Sequence, residues 1–155
     1  MPEEQNLPAN ESACCASAMR KASRRLTQLY DDALARSGLR STQYTILAEL
    51  NLRSHKPPTL QELANALVMD RSALGHTLRP LERDGLLVLQ QSGEDRRRRH
   101  VLMTAEGTAK FREAKQFWQA AQDRFQDVFG ASNAQQLRSI LLGIAYDVRL
   151  APLRV

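Results

Sequence analysis

The sequence has no apolar run approaching the roughly 20 residues that a membrane-spanning helix requires. Its opening residues, MPEEQNLPANES, are acidic and polar and carry no hydrophobic leader segment. No membrane association is therefore expected, and the protein is expected to act in the cytoplasm. The two cysteines are adjacent, at Cys14 and Cys15, which excludes a disulfide framework. Neither they nor His55, His76 and His100 show metal-ligand spacing, so no metal and no cofactor are expected. The chain also lacks a Gly-rich phosphate loop and a nucleophile-base-acid constellation, which argues against an enzyme. There is no internal repeat and no low-complexity tract.

Negative charge is scarce where positive charge gathers. Between Arg71 and Arg99 there are seven arginines against Glu82, Asp84, Glu94 and Asp95, whereas the first eleven residues hold three acids and no base. The formal net charge is +5. Its concentration in one stretch, more than its size, suggests a polyanionic partner. With 155 residues, 43% hydrophobic and 25% charged, the chain fits one globular domain with a sizeable core.

In chain order, residues 1–11 read as a loose tail. A helix is expected from about Ser12 to Arg36, with Met19, Ala22, Leu26, Leu29 and Ala33 at helical spacing and Gly38 as its stop. Ser41 or Thr42 is expected to cap a second helix through Tyr44, Leu47, Ala48 and Leu50, which His55-Lys56-Pro57-Pro58 breaks. Thr59-Leu60-Gln61-Glu62 matches a capping box opening a short helix to Leu67. After a tight turn at Val68-Met69-Asp70, Asp70 caps a helix from Arg71 to about Asp84, and Gly85 ends it. Pro80 inside that helix removes one hydrogen bond and is expected to bend it. Leu86–Gln91 and His100–Met103 read as short strands joined through Ser92-Gly93-Glu94-Asp95. Thr104 caps a long helix from Ala105 to about Phe129, with a stripe of Phe111, Ala114, Trp118, Ala121, Phe125 and Val128. Ser132-Asn133-Ala134-Gln135 reads as another capping box, opening a last helix with Leu137, Ile140, Leu141, Ile144 and Val148. The fold class is thus mainly α with a small β-hairpin: a winged helix-turn-helix over about 41–104, flanked by N- and C-terminal helices over about 12–36 and 105–150.

The helix from Arg71 has two faces. At about 100° per residue, Leu74, Leu78 and Leu81 fall within roughly 60° of one another and form its buried side. Ser72, Gly75, His76, Arg79 and Arg83 fall opposite. Arginine can bind guanine in bidentate fashion, and serine and histidine can reach base edges or phosphate. Gly75 has no side chain and allows close approach to another surface. Such a face could also be an ordinary solvated one; the short helix and tight turn before it favour DNA. Arg96-Arg97-Arg98-Arg99 lies at the hairpin tip. Strand alternation sends neighbours to opposite sides, so most of these arginines suit phosphate contacts, and Asp95 is placed to orient Arg97. A wing that bound protein would more often be apolar or mixed, which leaves a protein-interaction module as the weaker alternative.

The run LANALVMDRSALGHTLRPLERDGLLVLQQSGEDRRRRHVLMTAEG resembles the MarR family of bacterial transcription regulators. The likeness rests on the D-R-S helix start, the L-E-R-D-G-L-L exit, the D-x-R tip at Asp95 and Arg97, and the L-x-T-x-x-G return at Leu102, Thr104 and Gly107. It continues upstream through GLRSTQYTIL. The resemblance implies a homodimer whose first, fifth and sixth helices intertwine, binding a palindromic double-stranded DNA operator. It implies a repressor released by a small molecule or by oxidation. It places Ser72, His76 and Arg79 in the major groove, and Arg97 in the minor groove with Asp95 as support; Arg71, Arg96 and Arg98 join them as expected DNA contacts. Independently of the resemblance, the Phe111–Val128 and Leu137–Val148 stripes are longer apolar faces than a three-helix winged core can cover, which supports pairing.

The trigger is expected near the first helix. Arg20, Ser23 and Arg24 could hold the anionic group of an effector such as an aromatic acid or its thioester, although surface charges or dimer contacts are the favoured reading of them. Cys14 and Cys15 offer a thiol trigger instead. Aligned on Thr27, Tyr30 and Gln43-Tyr44, the cysteine of the hydroperoxide-sensing branch of the family falls on Ala16. Of that branch's two cysteine-bonding tyrosines, one falls on Tyr30 and the other on Arg20, so the match is broken and packing or lining of the ligand pocket is the favoured role for the two cysteines.

Overall fold

The computed structural model of the chain describes residues 14–91, 93 and 98–151. Its elements are α1 (Cys15–Leu34), α2 (Ser41–Leu52), α3 (Leu60–Ala66), α4 (Arg71–Arg83), β1 (Leu87–Gln91), β2 (Arg99–Met103), α5 (Ala105–Phe129) and α6 (Ala131–Ala145). Single 3-10 turns follow α1 and α6, at Ala35–Ser37 and Val148–Leu150. The expected tail over residues 1–11, most of the hairpin tip, and the candidate contacts Asp95, Arg96 and Arg97 lie outside the described residues. Among the described residues, no helix is long and apolar enough to cross a membrane.

Leucines dominate the core. Leu34, Ile46, Leu47, Leu63, Leu74, Leu78, Leu81, Leu87 and Val101 are fully buried, and Leu39, Leu50, Leu86, Phe111 and Ala114 close around them. They come from seven of the eight elements and the segments between them, so burying them fixes the helix-turn-helix and the wing as one body. Through Tyr44, Phe111 and Trp118 the core grades into an aromatic stack, with ring centroids 5.3 Å apart for Tyr44–Phe111 and 5.7 Å for Tyr44–Trp118.

The wing is an antiparallel pair in the register Leu87↔Met103 to Gln91↔Arg99. The far edge of β2 is partly covered: Val101 N–H donates to the Pro58 carbonyl at 2.9 Å, and Thr59 bridges to His100. The base of the wing is tied to α5 by the Thr104–Gly107 motif. Thr104 Oγ1 accepts from Gly107 N–H at 3.0 Å, capping α5, and its hydroxyl donates to the Gly85 carbonyl at 2.6 Å. A side chain on Gly107 would sit 1.9 Å from the Leu86 carbonyl oxygen, so only glycine lets α5 start this close to the wing.

Two helix starts differ from the sequence expectation. The N-cap of α2 is Arg40, and Ser41 is the first helical residue. Its N–H donates to Asp31 Oδ1 of α1 at 2.6 Å, while Gln43 Oε1 accepts from Arg40 N–H at 2.9 Å. A carboxylate from another helix thus does the work expected of a local hydroxyl. At the other end, α6 starts at Ala131 with Gly130 as its cap, so Ser132 lies inside the helix and forms no capping box. Gly130 (φ +91°) turns the chain without a side-chain cap, and Asn133 Nδ2 donates back to the Phe129 carbonyl at 2.9 Å.

Two further positions are corrected. Val148 falls beyond α6, in the 3-10 turn, and Val128 sits at the solvent side of α5 at 83% exposure. Pro80 lies within α4, which continues to Arg83.

α6 packs on α5 through its first turns, where Ala134 is buried, but much of its apolar surface is left open. Ile140, Leu141, Leu142 and Ile144 are all exposed, Ile140 at 61%. Its last residues do reach across the molecule: the Tyr146 hydroxyl donates to the Ala66 carbonyl at 2.6 Å, satisfying a C-terminal carbonyl of α3.

Candidate nucleic-acid interface

The helix-turn-helix is built from caps outward. At the start of α3, Thr59 and Glu62 form a reciprocal box: Glu62 N–H donates to Thr59 Oγ1 at 3.2 Å, and Thr59 N–H donates to Glu62 Oε2 at 2.8 Å. The hydrogen bonds from Thr59, with help from the Lys56 and Arg53 charges, hold the Glu62 carboxyl below its ordinary pKa. At the end of α3, Met69 N–H bonds to the Ala64 carbonyl at 2.9 Å, and Val68 takes a left-handed φ of +52°. Asp70 Oδ1 then accepts from Ala73 N–H at 2.8 Å and opens α4.

Packing of Leu74, Leu78 and Leu81 leaves Arg71, Ser72, His76 and Arg79 exposed on the outer face. Arg83, on the same face, is ion-paired to Asp84 at 3.2 Å. Arg71, Arg79 and Arg99 have no acidic partner among the described residues, so their guanidiniums are available to an outside anion. Arg98 is exposed beside them.

Two grooves flank this face. One, of about 450 Å³, runs between the start of α3 and the tip end of β2 and is lined by Thr59, Gln61, Arg71, Arg98 and Arg99. The other, of about 430 Å³, lies between α4 and the wing and is lined by Arg71, Ser72, Gly75, Arg79, Leu89 and Arg99. The structure therefore brings Arg71, Ser72, Arg79 and Arg98 together. His76 is exposed on the same helix but lines neither groove. Arg99 was absent from the sequence-derived contacts, yet it lines both grooves from the first residue of β2. Strand alternation at the end of the arginine run was the signal that could have found it.

A second feature lies on the other side of the molecule. Two adjoining clefts of about 670 and 680 Å³ open between α1, α2, α5 and α6, with Leu26, Tyr30, Trp118, Leu137 and Leu141 common to both. Ser23, Thr27, Ser41 and Thr45 add hydroxyls on one side, and Gln122 and Arg138 add polar groups on the other. The Tyr30 hydroxyl donates to Gln122 Oε1 at 2.6 Å, and burial raises its pKa, so it stays a neutral donor. Of the residues expected to hold an effector, only Ser23 lines the cleft. Arg20 and Arg24 lie elsewhere on the exposed surface of α1: at about 100° per residue Ser23 sits at the rim of the stripe of Met19, Ala22, Leu26 and Tyr30 that faces the cleft, and Arg20 and Arg24 fall beyond that rim. Cys14 and Cys15 are exposed at the start of α1 and line neither cleft. Tyr30, Trp118 and Gln122 are the residues that sequence reading missed here, since they meet only through the packing of α1 on α5.

Among the described residues, no group of three His, Cys, Asp or Glu side chains could hold a metal ion.

Known proteins resemble this arrangement closely. A sequence model of the MarR family matches residues 39–98, which span α2, α3, α4 and β1 and stop just before β2. The Mycobacterium tuberculosis transcriptional regulator MosR is 30% identical over 86% of this chain and 96% of its own, with a TM-score of 0.73. Its DNA complex aligns at 29% identity over 90% of this chain and 99% of that one, with a TM-score of 0.78. The transcriptional repressor CouR, bound to a 23-mer DNA duplex, is 27% identical over 85% and 92% of the two chains, with a TM-score of 0.77. No curated sequence gives a significant match.

Proposed function

This chain belongs to the MarR family of transcription regulators, and from that premise we propose that it is a homodimeric repressor in the cytoplasm that reads a palindromic operator and releases it when a small molecule binds. The observation that carries this reading is the outer face of α4. Ser72, His76 and Arg79 stand exposed there, beside Arg71 and Arg99, which have no ion-pair partner among the described residues. In such a complex α4 lies in the major groove, Arg79 pairs with a base edge, and Arg71, Arg98 and Arg99 hold phosphates. Arg96 and Arg97, supported by Asp95, extend the clamp at the tip. MosR and CouR have both been seen on DNA, and CouR is a repressor. The reading assigns the chain no catalysis.

Pairing is supported by α6, whose apolar side chains would otherwise face water. Two copies joined there would carry two α4 helices, which is what a palindromic operator requires.

The test is a binding titration on the DNA upstream of the chain's own gene. The affinity should fall steeply as salt rises, because phosphate contacts release counterions. Arg79→Ala should weaken binding about tenfold to a hundredfold while the protein stays dimeric. Full operator affinity in that variant would remove Arg79 from the interface.

For the effector, the cleft around Trp118 is the proposed site. Aromatic rings, leucines, hydroxyls and the Gln122 amide favour an aromatic molecule, and an acidic group on it would meet Arg138 rather than Arg20 and Arg24. Trp118 is the sole tryptophan, so its fluorescence reports directly on occupancy in a ligand screen.

A second reading makes a thiol the trigger, and the exposure of both Cys14 and Cys15 favours it. Peroxide would then release DNA from the wild type but not from Cys14→Ser/Cys15→Ser. Equal sensitivity of the two proteins excludes this reading.

A further inference from the structure

Three glycines lie inside helices, and the structure explains only one of them from within the chain. A side chain on Gly107 would strike the Leu86 carbonyl, so α5 needs glycine to pack. Gly143 lies near the end of α6, among the exposed apolar residues assigned above to pairing. Gly75 is in the middle of α4. Its φ is that of an ordinary helical residue, and a Cβ built on it would meet nothing within 4 Å. Glycine in a helix interior is less stable than alanine, because it loses more backbone freedom on folding. At Gly75 nothing inside the molecule offsets that loss.

What surrounds Gly75 points outward. Four residues before it is Arg71 and four after it is Arg79, so the three lie on one ridge, with a guanidinium-bearing residue roughly 6 Å along the axis on either side. Gly75 lines the groove between α4 and the wing, with Ser72 and Arg99 close by. At Gly75 the wall of this groove, which Leu60, Leu78, Leu89 and Glu82 also line, is backbone alone, with Arg71 and Arg79 on either side. We infer that Gly75 is a specificity-determining position at which the backbone of α4 meets a base-pair edge directly, with Arg71 and Arg79 holding the DNA on either side. A methyl group there would hold the helix off the bases by more than a carbon radius, while leaving the outer phosphate contacts within reach of long arginine side chains. The inference rests on the DNA-reading function proposed above.

The experiment uses the full-length protein and a random duplex library. Sites are first selected on the wild type, and Gly75→Ala is then measured on the selected duplex and on the unselected pool. We expect Gly75→Ala to fold, to remain dimeric and to melt about 1–4 °C higher than the wild type. We expect its affinity for the selected duplex to fall at least about tenfold, and its affinity for the pool, which phosphate contacts dominate, to change less than about threefold. An unchanged affinity for the selected duplex overturns the inference. So does an equal loss on both DNAs, or a lower melting temperature, since the latter would give Gly75 a role inside the fold. If the wild type enriches no sequence at all, it is the DNA-reading function itself that fails, before Gly75 is tested.

Discussion

Val68 holds a left-handed backbone conformation, φ +52°, that its branched side chain disfavours, and the side chain is exposed. Nothing packs on it strongly enough to explain the choice. The conformation is set by its neighbours: α3 ends and α4 begins with only four residues between them, and the Met69 N–H closes onto Ala64. Val68→Gly should relieve the strain and raise stability by up to about 1 kcal/mol, a shift of a few degrees in thermal unfolding. A lower melting temperature would show that valine contributes packing there. Glu62 gives a second residue-scale test. Its carboxyl is held below the ordinary value by the hydrogen bonds from Thr59. A carboxyl depressed in the folded state stabilises the protein above its unfolded pKa, and that stabilisation is lost as pH falls through the folded value. Glu62→Gln keeps the capping geometry without the charge. It should be less stable than wild type at pH 7, with the difference closing below about pH 4 in denaturant titrations run across pH.

At the scale of elements, the wing and α5 act as one unit because of Gly107. Gly107→Ala places a methyl group against the Leu86 carbonyl and must push α5 away from the hairpin. The expected cost is about 1–3 kcal/mol, with weaker DNA binding because Arg98 and Arg99 move with the hairpin. Stability and affinity measured on the same variant check both parts. Most elements were legible in the sequence, and the reason is local. Thr59-Glu62, Asp70 and Thr104 each satisfy backbone donors within three residues, so their helix starts follow from spacing. The starts of α2 and α6 were misread because their determinants are not hydroxyls in sequence. One is Asp31, ten residues upstream on another helix, and the other is the backbone of Gly130. The outer face of α4 was legible for the same local reason: helical periodicity separates Leu74, Leu78 and Leu81 from Ser72, His76 and Arg79. Arg99 was not, because its place in both grooves depends on how the hairpin lies against α3 and α4.

At the scale of the whole molecule, α6 leaves the chain with an apolar surface that a single copy does not bury. Ile140→Glu/Ile144→Glu should convert a dimer to a monomer in light scattering, and should weaken operator binding more than any single arginine change, because half the contacts are lost together. A dimer that survives both charges would move the pairing surface elsewhere. Composition and periodicity by themselves determined the winged helix-turn-helix, the exposed polar side of α4, the run of arginines at the hairpin and the presence of unburied apolar stripes. These depend on intervals of two, three or four residues, which the chain states directly. Only the tertiary structure decided that Tyr30, Trp118 and Gln122 meet in one cleft, that Arg20 and Arg24 stay out of it, and that Gly75 faces open space while Gly107 does not. Those facts depend on how helices far apart in sequence cross one another, and burial of the shared leucine core fixes that crossing.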